Sequence, residues 1–171
     1  MAEKNYNIIM KLQPIRRNKH ILELSRDHHF TLLFCWKIRQ GLKMQIAPER
    51  LKNYVNYFWG EHMQPHFREE EEILFKPVND GKVQKALNDH QQIEDQVVNL
   101  LRMTSTDSAD FFSKLADSVE THVRYEERQL FPHLEKILTE KHLKFIGAQL
   151  KKEEIAKDNY EDEFWIKKKQ G

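Results

Sequence analysis

The stretch His66-Phe67-Arg68-Glu69-Glu70-Glu71-Glu72-Ile73-Leu74-Phe75 returns as His122-Val123-Arg124-Tyr125-Glu126-Glu127-Arg128-Gln129-Leu130-Phe131. Both copies read H-x-R-x-E-E-x-x-L-F, and a proline follows closely, Pro77 or Pro132. In each copy a histidine precedes a glutamate by one helical turn. That spacing sets imidazole and carboxylate on one stripe of a helix, about 40° apart. A single such pair is ordinarily a surface contact worth on the order of a few tenths of a kcal/mol. Two copies inside matching phrases point to a duplicated helical hairpin that builds one metal site.

Around this repeat, 171 residues make about one domain, long enough to bury a core. Glycine and proline are scarce, with 5 of each, while Leu, Lys, Glu and Gln are plentiful, which favours helices. The net charge of +1 gives no electrostatic reason to expect nucleic acid or an anionic membrane as partner. The basic groups Arg16-Arg17, Lys151-Lys152 and Lys167 to Lys169 sit near the ends and are read as solvated surface. Cys35 is the sole cysteine, so no intrachain disulfide can form and a reducing cytosol is the expected compartment. Residues 1–19 lack an apolar core of signal-peptide length, and no stretch approaches the roughly 20 apolar residues of a membrane span. A soluble, cytoplasmic protein is expected.

Along the chain, residues 1–20 read as an N-terminal arm, 21–135 as the helical bundle and 136–171 as a C-terminal helix and tail. A first helix is expected from Arg26 to about Met44, with Ser25 as N-cap. A second opens at Ala47-Pro48 and carries Leu51, Tyr54, Val55, Phe58, Trp59 and Met63 at helical spacing. Pro65 falls inside that pattern, which predicts a kink or bulge just before His66, and Phe75 to Pro77 ends the helix. Asn79-Asp80-Gly81 signals a turn, a third helix follows to about Met103, and a fourth runs from about Ala109 to Leu130. Leu143 to Ile155 reads as a fifth, shorter helix on the outside. The last dozen residues are expected to be loosely docked, disordered, or docked on a second subunit. Four long helices with short connections predict an all-α, antiparallel up-down four-helix bundle with an additional C-terminal helix.

The second and fourth helices carry His66 with Glu70 and His122 with Glu126. The first and third each contain an Asp-His step, Asp27-His28 and Asp89-His90. The separations from His28 to His66 and from His90 to His122 agree within the length of a loop, so four histidines and two glutamates converge. Burying that set without a cation is costly. Two carboxylates suited to bridging, with imidazoles at either end, describe a binuclear non-haem iron site better than a structural zinc, which usually takes four ligands that often include cysteines. His29 competes with His28 but lies about 100° around the helix. His62, one turn before His66, is read as a fifth imidazole ligand, an outer hydrogen-bond donor or a residue lining the entrance; the second copy has Ser118 there. Glu94, one turn after His90, could reach the site or be a surface acid. Glu69 and Tyr125 occupy equivalent flanking positions and are read as outer partners of the ligands. Glu71, Glu72 and Glu127 are expected to face solvent, as are His20, His133 and His142.

These residues resemble the hemerythrin-like, or HHE cation-binding, family over roughly Leu24 to Leu134. The family pattern is a four-helix bundle with histidine on the first helix, His-x-x-x-Glu on the second, histidine on the third and His-x-x-x-Glu or a near variant on the fourth. The resemblance implies His28, His66, Glu70, His90, His122 and Glu126 as ligands of two non-haem irons, with zinc or another divalent metal able to occupy the site on purification. Oxygen-carrying members have a second histidine four residues after the first on the third helix, where this chain has Glu94. His62 is the only obvious candidate to restore a fifth imidazole.

The function expected from these readings is a cytoplasmic diiron protein, monomer or homodimer, that binds or senses dioxygen, nitric oxide or iron. A small ligand would reach the site past the turn at Pro65. Two other classes stand beside it. One is an iron-sulfur cluster repair factor or peroxide-handling enzyme, although repair members often carry cysteines in an N-terminal segment and this chain has none there. The other is a structural bundle with a vestigial or zinc-filled site.

Overall fold

The structure is a computed structural model and describes residues 16–104, 109–150 and 157–166. The first fifteen residues of the expected arm, most of the Thr104–Ser108 loop, the end of the fifth helix beyond Leu150 and the lysines at 167–169 lie outside the described residues. All regular structure among the described residues is helical.

Helix α1 spans Leu22–Lys43 and buries Leu24, His28, Thr31, Phe34, Cys35, Ile38 and Gly41 at spacings of three and four. It begins a turn earlier than expected, and Ser25 is not its cap: the Ser25 hydroxyl instead accepts a hydrogen bond from Arg17 Nε at 3.0 Å. The second long helix is segmented into α2 (Pro48–Phe58), a π turn (Trp59–Met63), α3 (Gln64–Glu69) and a second π turn (Glu70–Leu74). The first π turn lies just ahead of Pro65, where the missing amide makes a bulge expected. The amide of Gln64 reaches back five residues to the Trp59 carbonyl.

Helix α4 (Gly81–Arg102) is capped by Asp80, whose carboxylate accepts from the amides of Lys82 and Val83. Helix α5 (Ala109–Tyr125) runs into a third π turn (Glu126–Leu130) and continues as α6 (Phe131–Ile137). The fourth helix therefore passes Pro132 instead of stopping there. Pro132 occupies the first turn after the π bulge, a position that tolerates a residue without an amide hydrogen. Helix α7 (Glu140–Leu150) is the outer segment, and it starts earlier than Leu143.

Two apolar clusters form the core. One gathers Phe34, Ile38, Tyr54, Phe58, Phe67, Ile93, Val97, Phe112, Leu115 and Val119. The other gathers Ile21, Leu24, Leu74, Phe75, Val83, Leu130, Phe131, Leu134, Leu143 and Ile146. Both Leu-Phe endings of the repeated phrase belong to the second cluster, so that part of the motif packs the helix end. The histidines and paired glutamates of the phrase lie where the two clusters meet: Phe67 of the first and Phe75 of the second both stack near His90.

The described tail residues dock on their own chain. Phe164 is 3% exposed and enters the first cluster. Gly41 makes room for it, since a Cβ there would fall 2.4 Å from Leu51 Cδ2 and 2.8 Å from Phe164 Cε2. Asp158 accepts hydrogen bonds from Lys37 Nζ and Tyr54 Oη, both at 2.6 Å, and Lys37 Nζ lies 3.7 Å from the Trp165 ring centroid. The buried lysine and buried carboxylate offset one another, and the tyrosine fills a further lone pair. Phe164→Ala is predicted to lower the unfolding free energy by about 3 kcal/mol, the lower end for truncating a buried phenylalanine. Urea denaturation checks this, and a loss under about 1 kcal/mol would show that the tail is not part of the core.

Candidate metal centre

Six side chains converge where the sequence pattern places them. His28 comes from α1, His66 from α3, Glu70 from the π turn that follows α3, His90 from α4, His122 from α5, and Glu126 from the π turn that follows α5. Glu70 and Glu126 are 0% exposed and the four histidines are 2 to 3% exposed. The two glutamates are shared between two groups of four, His28-His66-Glu70-Glu126 and Glu70-His90-His122-Glu126. Each glutamate opens a π turn, and the widened turn is a local irregularity of the kind often found at functional sites.

The contacts inside the cluster are close but are not hydrogen bonds. His28 Nε2 lies 3.1 Å from Glu126 and 3.4 Å from Glu70, and His66 Nε2 lies 3.1 Å from Glu70. His90 Nε2 lies 3.3 Å from Glu70, and His122 Nε2 lies 3.3 Å from Glu126. All four Nε2 atoms and all four carboxylate oxygens are buried without a hydrogen-bond partner. Orphaned polar atoms in that number are rare inside a folded chain. Ligand atoms each about 2.1 Å from a common cation stand about 3.0 Å apart at right angles and about 3.4 Å apart at tetrahedral angles. The observed separations fall in or next to that range, so the donor set fits divalent cations.

Around this set lies a ring of carboxylates that fixes the imidazoles. His28 Nδ1 donates to Glu127 Oε1 and His90 Nδ1 donates to Glu71 Oε1, each at 2.7 Å. An ionised carboxylate can only accept, so Nδ1 carries a proton and Nε2 is the ring atom turned to the cluster. Asp27 lies 3.5 Å from His66 Nδ1, and Asp89 lies 3.5 Å from His122 Nδ1. The partners follow the duplication: the second glutamate of each phrase serves the Asp-His histidine of the other hairpin. The aspartate of each step serves the histidine of its own hairpin's phrase.

Several expectations are corrected here. Glu71 and Glu127 do not simply face solvent, because each accepts a hydrogen bond from a buried imidazole. Arg17 is not a solvated basic residue: its side chain is 2% exposed and it donates to Glu127 at 2.7 Å and to Glu135 at 3.2 Å. His133 Nε2 meets the Asp80 carboxylate at 2.6 Å, and His20 meets Glu140 at 3.1 Å. His29 is exposed, as its position around the helix implies. His62 is brought into neither group of four; it packs against Tyr57 and Phe58 and lines a cleft of about 50 Å³ with Asp27, Pro65 and His66. Glu94 lines a wider cleft of about 370 Å³ beside His90, and a third cleft of about 250 Å³ touches His122. The repetition of the second glutamate in both phrases is the sequence signal for its role. Nothing in sequence spacing marks Arg17.

Electrostatics reinforce the geometry. Burial disfavours a second proton on His28, but the close carboxylates of Glu126, Glu127 and Glu70 outweigh it and raise its pKa well above the ordinary value. His90 behaves likewise through Glu126, Glu70 and Glu71, and His66 and His122 are raised more through their own glutamates and aspartates. Burial alone would raise Glu70, Glu126 and Glu127. The surrounding imidazoles reverse this, lowering all three, Glu127 to about 2. The centre draws positive charge, whether as protons or as cations.

The comparisons with known proteins agree with this chemistry. Residues 20–134 match the family model described as hemerythrin HHE cation binding domain, and the chain belongs to that family. No curated protein and no solved structure matches the chain. Among the described residues no helix is long and apolar enough to cross a membrane.

A pH dependence results. The raised histidines stabilise the metal-free fold fully below the ordinary histidine value, and that contribution is lost as pH rises through their raised values. The lowered glutamates stabilise it above the ordinary carboxylate value and lose that contribution as pH falls through their lowered values. Thermal unfolding of metal-free protein should therefore show greatest stability between the two ranges, with added divalent metal raising the midpoint most on the alkaline side. A metal increment that shrinks as pH rises would contradict this.

Proposed function

We propose that this chain holds two non-haem irons and binds or senses a small diatomic ligand, dioxygen or nitric oxide, or senses iron itself. The observation that carries the reading is that Glu70 and Glu126, both fully buried, each belong to both four-residue groups. His28 and His66 would complete one metal position, and His90 and His122 the other. The four protein donors per position leave room for an exchangeable ligand on a six-coordinate ion. When bound, the iron pair supplies redox chemistry and open positions for that ligand.

The protein's own part is to position and to exclude water. Phe131 stacks on His28 at 5.3 Å and Phe67 on His90 at 3.8 Å between centroids, so aromatic faces cover the imidazoles. Glu127 and Glu71 keep the two rings turned inward, and Arg17 holds Glu127 in place. The up-down arrangement is supported by paired contacts: His28 of α1 with Glu127 of the π turn after α5, Arg39 of α1 with Glu120 of α5, and Tyr125 with Lys82 and Ser118 with Gln96 across α4 and α5. With Glu94 at the position of the extra histidine and His62 outside both groups, the chain departs from the oxygen-carrying pattern. This favours binding or sensing over bulk carriage. The single cysteine, Cys35, is buried, and burial pushes its thiol up to about 12, in keeping with a reducing cytoplasmic setting.

Protein purified from iron-fed cells should contain close to two irons per chain and show a charge-transfer band that responds to nitric oxide or dioxygen. His122→Ala should abolish the band and His29→Ala should leave it intact. Zinc alone, or no metal, in the iron-fed protein would overturn the diiron reading. Rapid peroxide turnover would favour the enzyme class instead.

A further inference from the structure

The duplication gives the two metal positions the same kinds of donor but not the same cover. At the His28–His66 position, Arg17 closes the outside. Its Nη2 donates to the Glu127 carbonyl at 2.8 Å and to Glu127 Oε2 at 2.7 Å, its Nη1 to Glu135 at 3.2 Å and its Nε to Ser25 at 3.0 Å. The guanidinium also lies 5.0 Å from the centroid of Phe131, the ring that stacks on His28. Glu127 therefore cannot swing away from His28 Nδ1 without breaking a charge-assisted pair whose arginine is buried.

The His90–His122 position is covered differently. The side chain of Glu71, which takes the corresponding place against His90 Nδ1, is 42% exposed where that of Glu127 is 17% exposed. Asp89 beside His122 is likewise more exposed than Asp27 beside His66, at 23% against 16%. A cleft of about 370 Å³ reaches His90 and one of about 250 Å³ reaches His122, against about 50 Å³ for the cleft at His66. Phe67 lines the widest of these three and meets both imidazoles, stacking on His90 at 3.8 Å and standing edge-on to His122 at 5.5 Å between centroids. Glu71 and Glu94 line the same cleft and outnumber Arg68 there, a balance that draws cations.

We infer that the two positions exchange divalent cations at different rates: the His90–His122 position trades its cation with solvent through the cleft behind Phe67, and Arg17 locks the His28–His66 position. Exchange requires the liganding imidazoles to turn aside, and such a local opening is easier where the outer carboxylate already meets water. At His90 the opening is a swing of one apolar ring, Phe67, while Glu71 turns further into water. At His28 it requires Phe131, Glu127 and Arg17 to move together. Arg17 bonds to none of the six convergent side chains and is a positioning residue that acts through Glu127. The inference rests on the proposed metal pair and adds to it an order in which the two cations are released.

Full-length protein loaded with cobalt(II) and mixed with excess EDTA tests this, with loss of the cobalt absorption followed in time. The wild type should release two ions in two separate phases. Phe67→Leu should speed the fast phase several-fold and leave the slow one unchanged. Arg17→Gln should speed the slow phase by about tenfold or more, the scale of a lost charged hydrogen bond, and leave the fast one unchanged. Both substitutions are mild, circular dichroism checks that the variants fold, and the wild-type phases test the inequality without them. Two ions leaving the wild type in one phase would overturn the inference while leaving the pair intact. So would either folded variant speeding both phases alike, or the opposite phase. Fewer than two bound ions in the wild type would overturn the pair and the inference with it.

Discussion

Two carboxylates with no exposure, Glu70 and Glu126, set the terms for the rest of this structure. An isolated buried carboxylate is expensive, and two facing each other are more so. The fold meets that cost with four imidazoles, and the imidazoles in turn need a ring of outer carboxylates to hold their orientation. Glu127, Glu71, Asp27 and Asp89 supply the ring, and Arg17 offsets one of its charges. The charged centre then needs to be shielded from water, which explains why Phe67, Phe75 and Phe131 pack against it. Outside this shell, ordinary apolar packing takes over, with one cluster on either side.

The duplication organises these layers. Each hairpin contributes an Asp-His step and an H-x-R-x-E-E phrase, and the two hairpins exchange outer partners across the site. A helix that carried only its own histidine and glutamate would leave the ring free to rotate. The crossing of Glu127 to His28 and Glu71 to His90 links the hairpins through the centre itself. The asymmetries fall outside the shared core, at Glu23 against Lys85, His62 against Ser118 and Glu69 against Tyr125.

The helical class and the six convergent residues are legible in the sequence, because 3.6-residue periodicity and a repeated motif are local signals. The bulge at Pro65 is legible for the same reason, since a missing amide has a local consequence. The roles of Glu71 and Glu127 are hidden, although their repetition is visible, because an unbroken helix would turn their stripe outward. The π turns that begin at Glu70 and Glu126 insert an extra residue and rotate the rest of each phrase. Arg17 is hidden for a different reason: its burial depends on Glu127 and Glu135, more than a hundred residues away. The docking of Phe164 and Asp158 likewise rests on long-range partners, Gly41, Lys37 and Tyr54, which no window of sequence reveals.

That two metal ions are bridged by Glu70 and Glu126 can be tested by X-ray absorption at the iron edge on iron-reconstituted protein. A bridged pair gives an iron–iron scattering shell within about 4 Å, and that shell should vanish on replacing Glu126 with glutamine while nitrogen scattering from histidine remains. An iron-loaded wild type with histidine scattering and no iron–iron shell would contradict the shared-carboxylate centre.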